Sequence, residues 1–243
     1  MRALLLCFLL LGACTTLPPA TESRPPQGLG SPKQDGGHFL ARHESFLQRG
    51  RQGPVGLLFI GDSITEGWAR HAADIWSERY AAFQAANFGI GGDRIDHVLW
   101  RLDNGELETI RPRVIVLMIG TNDSASRSGS QIAAGVRQIL SLIRSRQPQA
   151  RILLLAILPR GPRPGAARDD SAQRMQAIRE ANAELARLDD GDQTRFLDLG
   201  GRFLQDGRIP PELMPDQLHP SRKGYQIWAE AMQPLLDEML AHR

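Results

Sequence analysis

Hydrophobic and polar positions follow two different periods from about residue 38 to the end of the chain. Five short apolar runs predict buried strands, at residues 55–60, 85–90, 114–119, 152–158 and 195–199. Other segments carry apolar residues at helical spacing and predict helices at residues 39–48, 75–83, 95–102, 132–143 and 169–188. A last helix is predicted after Ser221, which can cap it, as Asp93 can cap the helix that contains Ile95.

Strands that are separated by helices predict a parallel sheet with helices on both faces. The runs at 114–119 and 152–158 are apolar throughout rather than at alternate positions, as in strands that are buried on both faces. The predicted fold is therefore α/β, a three-layer α/β/α (flavodoxin-like) domain with a five-stranded parallel sheet, over residues 38–243.

The first 37 residues have a different character. A charged start is followed by an apolar stretch that is too short to span a bilayer, which is typical of an export signal. Leu11-Gly12-Ala13-Cys14 resembles the lipobox of bacterial lipoproteins, in which the cysteine is lipidated and becomes the new N-terminus. Residues 14–37 are rich in proline, glycine and polar residues, and they predict a flexible linker.

This pattern predicts a lipoprotein signal peptide at residues 1–13 and an exported chain in the bacterial cell envelope. The lipid on Cys14 would attach the protein to the membrane, and plain secretion is the alternative. Thr15, in place of an acidic residue, favours the outer membrane if the organism is Gram-negative.

Composition narrows the choice of partners and cofactors. A formal net charge of +2 over 243 residues gives no electrostatic reason to expect nucleic-acid binding. The two cysteines, Cys7 and Cys14, precede the domain, so it has neither a disulfide framework nor a cysteine metal site. No H-E-x-x-H or similar metal-ligand spacing occurs, and we expect no cofactor and no metal.

Four polar loops are predicted to meet at one edge of the sheet, because the carboxyl ends of parallel strands lie together. In chain order they contain Gly61-Asp62-Ser63, Gly91-Gly92-Asp93, Gly120-Thr121-Asn122-Asp123 and Asp216-Gln217-Leu218-His219.

These loops supply the groups that acyl transfer requires. Ser63 can act as a nucleophile if His219 removes its proton, and Asp216 can hold the imidazole in the correct tautomer. The backbone N–H groups of Ser63 and Gly92 and the side-chain amide of Asn122 can donate to a developing oxyanion.

Each of these residues also has an ordinary structural interpretation. A serine or aspartate after a strand can cap a helix, glycines can serve a turn, and a single D-x-x-H occurs by chance. Asp62, Asp93 and Asp123 are interpreted as turn or capping residues. The remaining histidines are interpreted as incidental, and they are His38, His43, His71, His97 and His242. The coincidence of four loops favours a catalytic site.

The four motifs together resemble those of the SGNH, or GDSL-type, hydrolase superfamily, with coverage from about residue 38 to the C-terminus. The resemblance implies that Ser63 is the nucleophile and that Asp216 and His219 complete a catalytic triad. It also implies an oxyanion hole formed by Ser63, Gly92 and Asn122.

Within that superfamily, residues 87–107 resemble the catalytic subunits of intracellular platelet-activating-factor acetylhydrolase, and residues 146–150 and 158–161 resemble them more weakly. Those subunits dimerise, so a homodimer is implied. Two departures bear on specificity, namely the export signal and Asp123, where those subunits have another residue.

The sequence thus predicts a serine esterase that hydrolyses short-chain esters, with acetyl esters of glycans or lipids as substrates, through an acyl-enzyme. No G-x-S-x-G motif is present at Ser63, which argues against an α/β-hydrolase lipase. Two alternatives remain open. One is a lysophospholipase or thioesterase acting on longer chains, and the other is a non-catalytic lipoprotein that binds a ligand.

Overall fold

The computed structural model describes residues 29–165 and 169–241. Its centre is a sheet of five parallel strands in the order β2-β1-β3-β4-β5. The strands are β1 (Leu57–Gly61), β2 (Ala86–Gly89), β3 (Val114–Met118), β4 (Arg151–Leu155) and β5 (Thr194–Leu197). The predicted five-stranded parallel sheet is therefore confirmed.

Helices connect the strands and cover both faces of the sheet. They are α1 (His38–Arg51), α2 (Ser63–Glu66), α3 (Trp68–His71), α4 (Ala73–Tyr80), α5 (Ile95–Arg101), α6 (Gly129–Arg146), α7 (Ser171–Leu185) and α8 (Arg222–Ala241). Shorter helical turns lie at Ala81–Phe83, Leu102–Glu106, Asp123–Ala125, Ala186–Leu188 and Gly200–Phe203. Ser221 caps α8 as predicted, since its hydroxyl accepts a hydrogen bond from the N–H of Gly224.

The strand residues divide between two apolar cores because successive side chains point to opposite faces of a sheet. Leu58 and Ile60 of β1 enter a core that is completed by α1, α5, α6 and α7. Leu57 and Phe59 enter the opposite core, which contains Trp68 and the apolar faces of α4 and α8. This division is the three-layer α/β/α arrangement that the apolar runs predict.

The order of the strands places a crevice at the carboxyl edge. After β2 the chain passes β1 and forms β3 on its other side, so the connection from β1 to β2 and the connection from β2 to β3 run in opposite directions across the sheet. Ligands bind at such a switch point in open α/β sheets. Ser63 follows β1 and Asn122 follows β3, so these two residues flank the crevice.

Glycine permits the close approach of β2 and α2 at this edge. A Cβ atom on Gly89 would lie 2.3 Å from the backbone nitrogen of Glu66, which is closer than real Cβ atoms come to backbone. Gly61, its register partner on β1, has the same restriction from the Thr65 side chain and the Met118 carbonyl. The first turn after β1 is therefore held directly against the sheet.

Residues 29–37, which the composition assigns to a flexible linker, instead lie against the domain. The N–H of Leu29 donates to Asp103 at 3.2 Å, and the N–H of Ser31 donates to the carbonyl of Asp96 at 3.3 Å. This segment is held by polar side chains and backbone groups. Because such contacts need no regularly spaced apolar residues, the sequence pattern did not reveal them. Residues 1–28, including the predicted signal and Cys14, lie outside the described residues. Within the described part, no helix is both long and apolar enough to cross a membrane.

Candidate active site

Ser63 stands at a rigid turn between β1 and α2. The carboxylate of Asp62 accepts a hydrogen bond from the N–H of Ile64 at 2.9 Å and so caps α2, as the sequence predicts. The hydroxyl of Tyr225 on α8 donates to the carbonyl of Ile64 at 2.6 Å. Ser63 itself is partly exposed, so its hydroxyl is fixed in position and still accessible to a ligand.

His219 and Asp216 come from the loop before α8 and reach Ser63 across 156 residues of sequence. The Ser63 Oγ lies 2.9 Å from His219 Nε2, and His219 Nδ1 lies 2.6 Å from Asp216 Oδ2. The other carboxylate oxygen of Asp216 accepts hydrogen bonds from the N–H groups of Leu218 and His219 at 3.1 and 2.7 Å. The structure therefore brings the three predicted triad residues into one hydrogen-bonded line.

The surroundings of Asp216 favour its ionised form. Burial acts to raise the pKa of this carboxyl, but hydrogen bonds from the backbone and ring of His219 outweigh it, and the pKa lies below its ordinary value. A carboxylate at this position keeps the proton of His219 on Nδ1. The Nε2 atom is then free to accept the proton of the Ser63 hydroxyl.

The loop that contains Gly92 lies beside Ser63, and a hydrogen bond ties the side chain of Asn122 to that loop. A Cβ atom on Gly91 would be 3.9 Å from the Ser63 Cβ, which places the second loop next to the serine. Gly92 has φ +76°, a left-handed conformation that glycine adopts readily. The amide of Asn122 donates one N–H to the carbonyl of Asp93 at 2.9 Å, and its second N–H remains for a ligand.

A buried cation supports the second loop from inside the domain. Arg101 is fully buried, and its Nε donates to Asp93 at 3.0 Å while its Nη1 donates to Glu106 at 2.6 and 2.8 Å. Gly105, at φ +104°, turns the chain so that Glu106 returns to the arginine. The sequence analysis did not identify Arg101 and Glu106 as residues that support the site. The available signal was a charged residue between Val98 and Leu102 on an otherwise apolar helix face.

Asp93 is consequently not the helix cap that the sequence predicts. It is fully buried beside Arg101, and Arg94 occupies the capping position of α5. The first N–H groups of that helix instead reach Asp123, which accepts from Ile95 at 3.2 Å, and His97, whose ring accepts from Arg94 at 3.0 Å. Asp123 is thus a capping residue, as predicted, although it caps a helix from a distant part of the chain.

Three carboxyl groups beneath the site have raised pKa values, and burial is the main cause in each. The pKa rises to about 7 for Asp62, to about 6 for Asp93 and to about 6 for Asp123. Neighbouring negative charges add to the rise at Asp62, whereas Arg101 and Lys33 oppose it at Asp93.

Three of the histidines that the sequence treats as incidental have defined environments. His43 is buried and lies 3.1 Å from Glu106. His97 caps α5, and burial lowers its pKa to about 4. His71 lines the cleft described next. His242 lies outside the described residues.

A cleft of about 520 Å³ opens beside Ser63 and His219. Its lining includes the charged residues Glu66, Arg70 and Arg222 together with Pro215 and Pro220, so charged and apolar groups both face the space next to the serine. Among residues 29–165 and 169–241, no three His, Cys, Asp or Glu side chains are grouped to hold a metal ion. The chemistry that this arrangement supports is attack by a serine hydroxyl on an electrophile seated in the cleft.

The fold and this constellation agree with a family assignment. The sequence profile of the GDSL-like lipase/acylhydrolase family matches residues 59–227, a span that contains every residue of the proposed triad and oxyanion hole. The chain belongs to the GDSL-like lipase/acylhydrolase family, and it is a carboxylic ester hydrolase. The resemblance to this superfamily seen in the sequence motifs is confirmed.

Among proteins of known identity, the chain is similar to two related acetylhydrolase subunits. The chain is similar to platelet-activating factor acetylhydrolase IB subunit alpha1 of Homo sapiens, with 38% identity over 224 residues that cover 92% of this chain and 91% of that subunit. It is also 36% identical to the alpha2 subunit of Rattus norvegicus over 203 residues, which cover 83% of this chain and 85% of the relative. The predicted resemblance to these subunits is therefore confirmed.

Solved structures share the fold at lower identity. A GDSL-like lipase from Bacteroides thetaiotaomicron has a TM-score of 0.67 and 20% identity, and it covers 82% of this chain and 98% of its own. A carbohydrate acetylesterase family member from Sinorhizobium meliloti has a TM-score of 0.62 and 18% identity, with coverage of 77% and 99%. These two structures establish a common architecture only.

The raised pKa of Asp62 predicts a dependence of stability on pH. The native chain retains a proton that the unfolded chain releases between the ordinary value of 3.8 and about 7, so stability is lost as pH rises through that interval. Relative to Asp62→Asn, which keeps the oxygen that caps α2, the wild type should lose on the order of 2 kcal/mol of unfolding free energy between about pH 5 and about pH 7.

Urea denaturation at both pH values measures this difference. Asp237→Asn, a substitution on the exposed face of α8, is the matched control and should follow the wild type. Parallel behaviour of wild type and Asp62→Asn across the interval would contradict the protonated state of this buried carboxyl.

Proposed function

We propose that this protein is a serine esterase that hydrolyses short-chain carboxylic esters, with Ser63, His219 and Asp216 as its catalytic triad. The observation that carries the proposal is the continuous hydrogen-bonded line from Ser63 Oγ through the His219 ring to Asp216, at 2.9 and 2.6 Å. This geometry matches the relation of nucleophile, base and orienting carboxylate that acyl transfer requires.

The first half of the reaction forms an acyl-enzyme. His219 Nε2 takes the proton of Ser63 as Oγ bonds to the ester carbonyl carbon, and the carbonyl oxygen becomes an oxyanion. The N–H groups of Ser63 and Gly92 and the second N–H of Asn122 donate to that oxygen. The C–O bond to the alcohol then breaks, and the leaving oxygen takes the proton from His219.

The second half restores the enzyme. A water molecule gives its proton to His219 Nε2 and attacks the acyl carbon, and the same three donors stabilise the second tetrahedral intermediate. Collapse releases the carboxylic acid and returns the proton to Ser63. Throughout, Asp216 stabilises the imidazolium that His219 becomes in each half-reaction.

A short acyl group is proposed from two observations. The connections that carry Ser63, Gly92 and Asn122 each run only a few residues from the end of a strand to the next helix or helical turn, and none of the three carries an insertion that would enclose a long acyl chain. The curated relatives are named acetylhydrolase subunits, and one of the solved neighbours is named a carbohydrate acetylesterase family member. We infer an acetyl ester of a glycan or lipid as the substrate class.

Removal of the proposed nucleophile should abolish activity. The purified wild-type chain should release p-nitrophenol from its acetate ester, and Ser63→Ala should reduce kcat/KM by at least about three powers of ten. Ser45→Ala changes an exposed serine of α1 and should leave the rate unaltered. A fluorophosphonate probe should label the wild type and Ser45→Ala but not Ser63→Ala. Equal hydrolysis and labelling by all three would exclude Ser63 as the nucleophile, whereas the absence of both from the wild type would favour a ligand-binding protein.

The acyl preference is tested with p-nitrophenyl esters of increasing length. We expect kcat/KM to be highest for acetate and to fall progressively through butyrate and octanoate, because the short loops leave longer chains unburied. A maximum at long chains would instead support a lysophospholipase or thioesterase.

We also propose that the chain is exported and attached to the envelope membrane through a lipid on Cys14. Support comes from the pattern of residues 1–14, a charged start and an apolar stretch that end in Leu11-Gly12-Ala13-Cys14. In a Gram-negative host fed a labelled fatty acid, the full chain should carry the label and fractionate with membranes. Cys14→Ser should lose both properties, whereas Cys7→Ser should keep them. Label that persists in Cys14→Ser would reject lipidation at this residue.

A further inference from the structure

One side chain of the segment before α1, that of Lys33, contacts the second loop of the candidate active site. Lys33 Nζ donates to the carbonyl oxygen of Gly91 at 2.6 Å and lies 3.3 Å from the carboxylate of Asp93. Its side chain is only 18% exposed, and it also lies 3.5 Å from Asp35, which accepts a hydrogen bond from the first turn of α1. Lys33 therefore packs against the folded domain, although the composition of its segment predicts a flexible linker.

The oxygen that Lys33 contacts belongs to the same peptide group as the N–H of Gly92. A peptide unit is planar and trans, so its carbonyl oxygen and its N–H point in opposite directions. A bond that fixes the direction of the Gly91 carbonyl therefore also fixes the direction of the Gly92 N–H. An ammonium group on the carbonyl oxygen further polarises the peptide and strengthens the N–H as a donor.

This peptide needs such a restraint because it joins two glycines. With no side chain on either residue, rotation of the whole peptide plane meets little steric resistance. The preceding peptide, Ile90–Gly91, has its own restraint, because the N–H of Gly91 donates to Glu66 at 3.0 Å. Among the described side chains, Lys33 is the one that donates to the Gly91 carbonyl.

Asp93 connects this contact to the other oxyanion donor. One of its carboxylate oxygens lies near Lys33 and the second accepts from Arg101, while its backbone carbonyl accepts from the Asn122 amide at 2.9 Å. Lys33 thus closes a network whose members orient both the Gly92 N–H and the Asn122 N–H.

We propose that Lys33 is a positioning residue for ester hydrolysis, which acts by fixing the Gly91–Gly92 peptide so that the Gly92 N–H points at the developing oxyanion. The inference rests on the proposed function. Under this proposal, the segment that joins the N-terminal region to the domain contributes directly to the arrangement of the active site. Lys33 stabilises the transition state through Gly92 and makes no contact with substrate, so its loss should affect kcat more than KM.

The test compares Lys33→Met, Lys33→Arg and the wild type on p-nitrophenyl acetate. Kinetic constants are expressed per Ser63 that reacts with a fluorophosphonate probe, so that inactive or misfolded molecules are not counted. Lys33→Met should lower kcat between about tenfold and about 100-fold with KM changed less than about threefold, since loss of a full oxyanion donor costs more. Lys33→Arg should recover most of the activity, because a guanidinium can donate to the same carbonyl.

The chain provides a matched control because it contains only one other lysine. Lys223 lies exposed at the start of α8, 3.9 Å from Glu212, and Lys223→Met should have wild-type constants. An active wild type with an unaltered kcat in Lys33→Met would overturn this inference alone. Failure of Lys33→Arg to recover activity would reduce Lys33 to a structural role. The same conclusion would follow if the total activity of Lys33→Met fell only in proportion to its labelled fraction, with normal turnover per labelled site. An inactive wild type would overturn the proposed function and this inference together.

Discussion

A buried arginine determines how the active-site edge of this domain is assembled. Arg101 is removed entirely from solvent, and a charge in that position requires partners that satisfy its donors. Asp93 and Glu106 supply the charge, and the carbonyl of Phe88 at the end of β2 accepts a further hydrogen bond at 3.2 Å. Removing one partner from such a pair typically costs about 3 to 5 kcal/mol. The second loop and the adjacent strand end are therefore tied to one buried point.

The candidate triad residues are accessible to solvent, whereas the carboxyl groups that support them are buried. His219 and Asp216 have side chains that are 30% and 35% exposed, and Ser63 is also within reach of a ligand. Beneath them, Asp62 and Asp93 are buried, and burial raises the pKa of each. Carboxyl groups in such surroundings reduce stability at neutral pH, while they hold the turn and the loop that present the candidate catalytic groups. This arrangement fits a hydrolase whose donors must be oriented before the substrate arrives.

Family membership and site geometry answer different questions about this protein. The profile match and the relatives at 38% and 36% identity establish an ester hydrolase. The distances among Ser63, His219 and Asp216 then indicate which atoms perform the proposed reaction. The cleft beside Ser63, with Arg70 and Arg222 in its lining, is the space in which that reaction would take place.

Most of the fold was predictable from the chain because strand and helix periods are local properties of the sequence. The apolar runs located all five strands to within a few residues, and the loop motifs located the candidate triad and oxyanion donors. The supporting contacts were not predictable in the same way. Asp93 as the partner of Arg101, His43 beside Glu106 and Lys33 on the Gly91 carbonyl depend on residues that meet only after folding. A polar residue shows its type in the sequence, but its burial and its partner depend on which distant segments the topology places beside it.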